Sequence, residues 1–165
     1  MTNIAVIGAG GRMGKALIET IAATDGVQLK GALENPQSSL IGVDAGELAG
    51  IGRNNIALVA SLQEIVGDFD ILIDFSIPSV TAANAAFCAA HGKKMVIGTT
   101  GLDQAQLQSV MQASHSNAVC MASNYATGVN LCFKLAELAA SVLGDEVDIE
   151  ISEAHDKAKD VLKFV

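Results

Sequence analysis

Residues 4–14 read Ile4-Ala-Val-Ile-Gly-Ala-Gly-Gly-Arg-Met-Gly14, four apolar residues that break into glycine and then open a helical stretch. An apolar run with no polar alternation is the mark of a strand covered on both faces, as in a parallel sheet. From Gly11 to about Ala23, Met13, Leu17, Ile18 and Ile21 fall on one helical stripe. Strand, glycine turn and helix in that order suit a phosphate-bearing ligand. Glycine lets the backbone come close to a pyrophosphate, and the helix start turns N–H groups and the positive dipole end toward it. The glycines at 8, 11 and 14 give G-x-x-G-x-x-G, whereas the strict G-x-G-x-x-G spacing would place one at 13, where Met13 stands. Arg12 adds a cation for a charge-assisted contact. Taken alone, such a turn also occurs with no ligand.

Working outward, short aliphatic runs alternate with helical stretches, the rhythm of repeated βαβ units. Val27–Leu33 reads as a second strand ending in Glu34, and Ile56–Val59, Asp70–Asp74, Lys94–Ile97 and Ala118–Met121 as four more. Residues 35–55, with Gly42, Gly46, Gly50 and Gly52 and little periodicity, are expected to form a mobile surface loop. Ser61-x-x-Glu64 is a capping box for a short helix, and Pro78 stands in the first turn of a helix reaching about His91. Asp103 caps a helix with Leu107, Val110 and Met111 on one face. Gly128–Leu143 is a long amphipathic helix, Val147–Ser152 alternates as a strand, and the rest to Val165 is charged and short. The expected fold is α/β: a Rossmann-like doubly wound parallel sheet with a truncated second domain. Its parts are a dinucleotide-binding domain over 1–125 and, as the family resemblance below implies, a remnant of a substrate domain over 126–159 and a tail over 160–165 resembling a segment that returns to the first domain.

Composition narrows the ligand classes. The chain has 165 residues, close to one typical domain of roughly 100–200. It is 50% hydrophobic and 17% charged, enough apolar surface to offset the entropy of ordering. Ten basic against eighteen acidic residues leave a net charge of −8, which disfavours nucleic acid or an anionic membrane as partner. Cys88, Cys120 and Cys132 form no C-x-x-C pair, so they read as buried free thiols rather than a disulfide framework, and no metal site is expected. The first residues lack the basic region of a signal peptide, and no apolar run reaches membrane-spanning length, so a cytoplasmic protein is expected.

Ligands of open α/β sheets lie beyond the carboxyl ends of the strands. Glu34, 20 residues past Gly14, stands where an acid accepts hydrogen bonds from adenosine ribose hydroxyls. Asp74-Phe75-Ser76, Gly98-Thr99-Thr100-Gly101 and Ser123-Asn124-Tyr125 end the fourth, fifth and sixth strands. Tyr125, the single tyrosine, suits stacking on a nicotinamide face and equally suits a core position with a wet hydroxyl.

Six motifs in order, Gly8-Ala-Gly-Gly-Arg-Met-Gly14, Ile73-Asp-Phe75, Val96-Ile-Gly-Thr-Thr-Gly101, Ala122-Ser-Asn-Tyr125, Gly128-Val-Asn130 and Glu150-Ile-Ser-Glu-Ala-His155, resemble the dihydrodipicolinate reductases of bacterial lysine and diaminopimelate biosynthesis. The likeness runs from residue 1 to about 155. It implies reduction of a cyclic unsaturated dicarboxylate by hydride from NADH, with NADPH as the second candidate, and a proton from an enzyme acid. By the same resemblance, Gly8, Ala9, Gly10, Gly11, Arg12 and Met13 hold pyrophosphate and Glu34 holds ribose. Gly98, Thr99 and Thr100 lie on the nicotinamide side, Ala122, Ser123, Asn124 and Tyr125 lie at its ring, and Phe75 is among the cofactor-binding residues. His155 matches the proton donor and Lys159 its partner in substrate binding.

The chain also departs from the pattern. Asp156 replaces a second histidine, and after Lys159 the sequence goes to Asp160-Val-Leu-Lys-Phe-Val165, which resembles the family's closing segment. A substrate loop and most of the tetramer-forming lobe are not found between them, as an internal excision would leave. Family tetramer contacts are therefore expected to be mostly absent. So is efficient turnover, because positioning of substrate supplies much of an enzyme's rate. A nucleotide-binding module without chemistry and a minimised scaffold stand as the other readings.

Overall fold

Six aliphatic runs pair as parallel strands: β1 (Thr2–Ile7), β2 (Val27–Leu33), β3 (Leu58–Val59), β4 (Ile71–Asp74), β5 (Lys94–Ile97) and β6 (Val119–Met121). Their order is β3-β2-β1-β4-β5-β6, so the winding reverses between β1 and β4, where such sheets leave a crevice beyond the strand ends. The computed structural model describes residues 1–150. Contacts divide the chain into two units, Met1–Ser123 and Asn124–Val165.

Strand alternation sorts the sheet's two faces. On one face Ala5, Leu33, Leu72, Met95 and Ile97 pack with Ala85 and Cys88 of α3 (Pro78–Ala90) and with Val110 and Ala113 of α4 (Gln104–Ser114). On the other, Ile4 and Val6 meet Ile21 of α1 (Arg12–Ala22). Ala32 and Leu58 there join Ile18 of α1 and Ala45 and Ala49 of α2 (Ala45–Ala49). Asp74 and Thr99 continue the parity of Leu72 and Ile97, which carries both beneath α3 at the carboxyl edge, where both are buried. Leu72 is wholly buried, so Leu72→Ala should cost about 2–5 kcal/mol in chemical unfolding.

Several local signals read from sequence hold. Pro78 occupies the first turn of α3. Asp103 accepts from the Gln106 N–H while the Gln106 side chain accepts from the Asp103 N–H, each at 2.8 Å. The Ser61–Glu64 box closes around a single 3-10 turn, Leu62–Ile65.

Others do not. Residues 35–55 are not a plain loop: they contain α2, whose Ala45, Gly46 and Ala49 are buried. Of the glycines there, Gly46 lies buried inside α2 and Gly50 caps it in the left-handed region at φ +81°. The third strand keeps two residues instead of four, because Ile56 and Ala57 turn to a bridge between Ala57 and Asp44. On α4, Val110 is buried but Leu107 and Met111 are exposed, the inner face being completed by Ala113. Met13 likewise lies outside the buried stripe of α1. Cys88 alone of the cysteines is buried, Cys120 and Cys132 being exposed. Burial, with the charge of Asp74 near by, pushes the Cys88 thiol up to about 12.

The second unit holds α5 (Thr127–Leu143) and a 3-10 turn, Gly144–Glu146. Asn124 accepts from the Ala126 N–H at 2.8 Å, and the Asn130 amide donates to the carbonyls of Asn124 and Ala126, so the helix entry is tied by side chains. Residues 147–150 are not a strand, and the remainder of the expected Val147–Ser152 strand lies outside the described residues.

One carboxylate organises the 35–55 segment. Asp44 Oδ1 accepts from the N–H groups of Gly46, Glu47 and Asn54, and Oδ2 accepts from that of Asn55 at 2.7 Å. Burial works to raise the Asp44 pKa, but these donors outweigh it and hold it below the ordinary 3.8. A lowered folded value means the tie is present above the unfolded value and is lost as pH falls through the folded one. Hydrogen-exchange protection of the Gly46, Glu47, Asn54 and Asn55 amides should therefore fall on acidification below pH 3.8. Asp44→Ala should show the same loss at neutral pH, with the β4 amides unaffected.

Candidate functional site

The turn after β1 is set by close approach. Gly8 has φ +77°, and a Cβ on Gly14 would lie 2.2 Å from the Gly8 carbonyl oxygen and 2.6 Å from Ala9 Cα. Nothing but glycine lets α1 begin so close under β1. The N–H groups of Gly8 and Ala9 both donate to the Leu33 carbonyl at 3.0 Å, fastening the turn to the end of β2. Gly11, the N-cap of α1, supplies no side-chain cap, so the first turn presents its N–H groups to whatever lies beyond it.

Glu34 follows β2 and faces this turn. Its Oε2 accepts from the Gly10 N–H and its Oε1 from the Asn35 N–H, both at 2.9 Å. Each oxygen keeps acceptor capacity, so the carboxylate is aimed without being used up. A Cβ on Gly10 would fall 2.8 Å from Oε2 and 2.6 Å from Leu40, which explains a glycine between them.

Beyond these groups lies a cleft of about 610 Å³ whose walls include Gly8, Gly11, Glu34, Phe75, Ser76 and Asn84. It is mostly apolar with a few convergent polar groups, the character of a small-molecule site. Pro36, Ile77 and Val80 form part of its apolar wall. At the adjoining strand ends, Asp74 accepts from the Ser76 N–H (2.9 Å), the Ser76 hydroxyl (2.6 Å), the Asn84 amide (3.0 Å) and the Thr99 hydroxyl (3.3 Å).

The residues expected from sequence are thus partly gathered. Gly8, Gly11, Glu34 and Phe75 line the cleft, and Gly10 touches it through Glu34. Ala9 is buried in the core beside Ile18, so it serves the turn rather than a ligand. Arg12 and Met13 are exposed on the first turn of α1. Thr99 is 5% exposed with its hydroxyl turned to Asp74, leaving backbone and Thr100 as the outward parts of that loop. Ala122 donates its N–H to the Ile97 carbonyl at 3.2 Å and is followed by exposed Ser123. Asn124 and Tyr125 open the second unit, and His155 and Lys159 lie outside the described residues. Among the described residues, no three His, Cys, Asp or Glu side chains group as metal ligands, and no helix is long and apolar enough to cross a membrane.

Asn84 and Thr81 were not singled out from sequence. Their signal was present: two polar residues three apart in a helix otherwise rich in alanine, so both fall on one face.

A family model described as dihydrodipicolinate reductase, N-terminus, matches residues 2–125. A 4-hydroxy-tetrahydrodipicolinate reductase of Saccharophagus degradans is 52% identical over 158 residues, which are 96% of this chain and 59% of that protein. The chain therefore spans 59% of the length of that curated relative. Among solved structures, a dipicolinate-bound dihydrodipicolinate reductase from Paenisporosarcina sp. TG-14 matches with a TM-score of 0.69 at 24% identity, over 86% of this chain and 54% of that one. GenD2 from gentamicin A biosynthesis, solved in complex with NAD, matches with a TM-score of 0.66 at 20% identity, over 87% of this chain and 40% of its own. These two likenesses are of fold.

Phe75 and Gly98 carry a direct test of the cleft wall. A Cβ at residue 98 would lie 2.0 to 2.6 Å from atoms of the Phe75 ring, so the ring is seated against bare backbone. Gly98→Ala should unseat it and lower the melting temperature, whereas in a Phe75→Ala background the same change should be nearly neutral. A double-mutant cycle is expected to return a coupling of about 0.5–3 kcal/mol.

Proposed function

This chain belongs to the dihydrodipicolinate reductase family, and from that premise we propose that it binds a reduced nicotinamide dinucleotide across the carboxyl ends of β1, β2 and β4 as the nucleotide half of a reductase. The observation that carries the reading is Glu34, held by the Gly10 and Asn35 N–H groups at the rim of the cleft and facing the glycine turn. The residues present fit such a cofactor: bare backbone at Gly8 and Gly11 admits a pyrophosphate, and the start of α1 gives it N–H donors. Glu34 accepts from the two ribose hydroxyls, and the apolar wall of Pro36, Ile77 and Val80 takes a flat base. Gly98, Thr99 and Thr100, with Phe75 and the Ala122–Tyr125 stretch, serve the nicotinamide end.

Hydride is what the bound cofactor supplies. The chain's own contribution is to fix the dinucleotide and to provide a proton, for which His155 is the donor and Lys159 its partner. The substrate is a cyclic unsaturated dicarboxylate, as the family's name implies, and the setting is a soluble biosynthetic enzyme of the cytoplasm.

Cofactor choice follows from charge. A 2′-phosphate would meet the Glu34 carboxylate, and the next residue is Asn35, its side chain already accepting from the Gln37 N–H at 2.9 Å. NADH should bind at least as tightly as NADPH at equal moderate salt, and Glu34→Gln should narrow any gap. Gly11→Leu, which places a side chain where the pyrophosphate approaches, should weaken NADH by about tenfold or more in calorimetry. Unchanged NADH binding in that variant refutes the placement.

The 165-residue chain spans 59% of its 52%-identical relative, and Asp156 stands where the family has a second histidine. Its NADH oxidation with freshly generated dihydrodipicolinate should therefore fall several powers of ten below that of a full-length relative, since a general acid works only on a substrate held about 3 Å away. Turnover within tenfold of the relative would refute this, and His155→Ala would then identify the donor.

A further inference from the structure

The structure holds a fully buried carboxylate that the dinucleotide reading leaves unused. Asp74 is 0% exposed, at the end of β4, and among the described residues its carboxylate partners are hydroxyl, amide and backbone donors, with no cation. Burying a charge is costly unless its acceptor sites are filled, so a carboxylate kept here has a specific task. Its surroundings show the task. A carboxylate only accepts, and this fixes the proton direction along the whole chain of hydroxyls. Ser76 donates to Asp74 Oδ1 at 2.6 Å, and Thr99 donates to it at 3.3 Å. Thr81 donates to the Thr99 oxygen at 2.8 Å, which leaves Thr99 its own proton for Asp74. Asn84, from α3, fills Oδ2 at 3.0 Å.

The cleft wall at Phe75 and the loop after β5 meet at this one residue, through its main chain as well as its carboxylate. Its main-chain oxygen accepts from the Gly98 N–H at 2.9 Å, fixing where the loop after β5 departs. The turn 74–76 places the Phe75 ring against Gly98 and the Phe75 carbonyl 3.2 Å from where a Cβ of Gly8 would be. Thr99 is drawn inward by the same carboxylate, while the next residue, Thr100, is exposed.

We propose that Asp74 is a positioning residue for the nicotinamide end of the cofactor, acting through Thr99 and the Phe75–Gly98 seat. The proposal rests on the dinucleotide reading above. The adenosine and pyrophosphate end has holds of its own that do not include the Asp74 carboxylate: Glu34 on the Gly10 N–H, and the Gly8 and Ala9 N–H groups on the Leu33 carbonyl. Loss of Asp74 therefore has a directional signature: the nicotinamide half of the ligand loses its seat and the other half does not.

The test compares NADH with ADP-ribose, which lacks the nicotinamide, by calorimetry on the full chain. Asp74→Asn sets an amide against the Asn84 amide and should weaken NADH about tenfold while ADP-ribose stays within about twofold. Asp74→Asn combined with Asn84→Asp moves the carboxylate across the same hydrogen bond and should restore most of the NADH affinity. Equal weakening of both ligands would mean a merely structural role and would overturn the proposal, as would no change in either. Where Asp74→Asn does not fold, Thr99→Val decides: isosteric but without the hydroxyl, it should show the same loss for NADH alone, and any other pattern overturns the proposal. Failure of the underlying reading looks different, since the unmodified chain would then bind neither ligand.

Discussion

Everything at the ligand end of this protein depends on how closely α1 leaves β1. With Gly14 pressed on the Gly8 carbonyl and Ala9, the helix start leaves no room for a side chain against the strand end. The turn is fastened sideways to β2 through Leu33, so Glu34, the next residue, is brought opposite Gly10. Had the crossing been an ångström or two wider, the carboxylate and the glycine turn would face water separately. The Glu34 side of the site is thus a by-product of backbone packing, and side chains only finish it.

The β4–β5 side is organised differently. There the positions of β4 and β5 are set by sheet register, with Asp74 paired beside Ile97, but the loops that follow them are set by polar side chains under α3. Two neighbouring stretches of the carboxyl edge are therefore stabilised by different physics. One is held by steric closeness and main-chain hydrogen bonds, which substitution at exposed positions scarcely touches. The other is held by a buried acceptor whose donors must all be present, which makes it sensitive to single-atom changes.

This difference explains what could be read in advance. The strand cores were legible because an unbroken run such as Ile4–Ile7 or Ile71–Ile73 has one sensible fate in a parallel sheet. Glu34 was legible because its distance from the glycines reflects a fixed βαβ geometry. Helix α2 was not: five residues carry too little periodicity to stand out, and what makes it a helix is Asp44 gathering amides as far away as Asn55, a long-range effect. Leu107 and Met111 were misplaced because apolar residues on α4 outnumber the face it buries, and Ala113, small and unremarked, fills that face instead. The Asp74 network is not legible because its donors come from separate elements, Thr81 and Asn84 from α3 and Thr99 from the loop after β5, and only the fold brings them to one carboxylate.

Strand lengths carry a consequence of their own. The outermost strands are the shortest, with two residues in β3 and three in β6, against seven in β2. Beyond β3, the chain turns back on itself through the Asp44–Ala57 bridge, so little unpaired backbone is left along that margin. An open sheet is at risk of recruiting a foreign strand in proportion to the length of flat edge it displays. On this side the protein withholds such an edge, and a glycine-rich segment that in sequence resembled idle connection also guards the sheet against edge-to-edge aggregation.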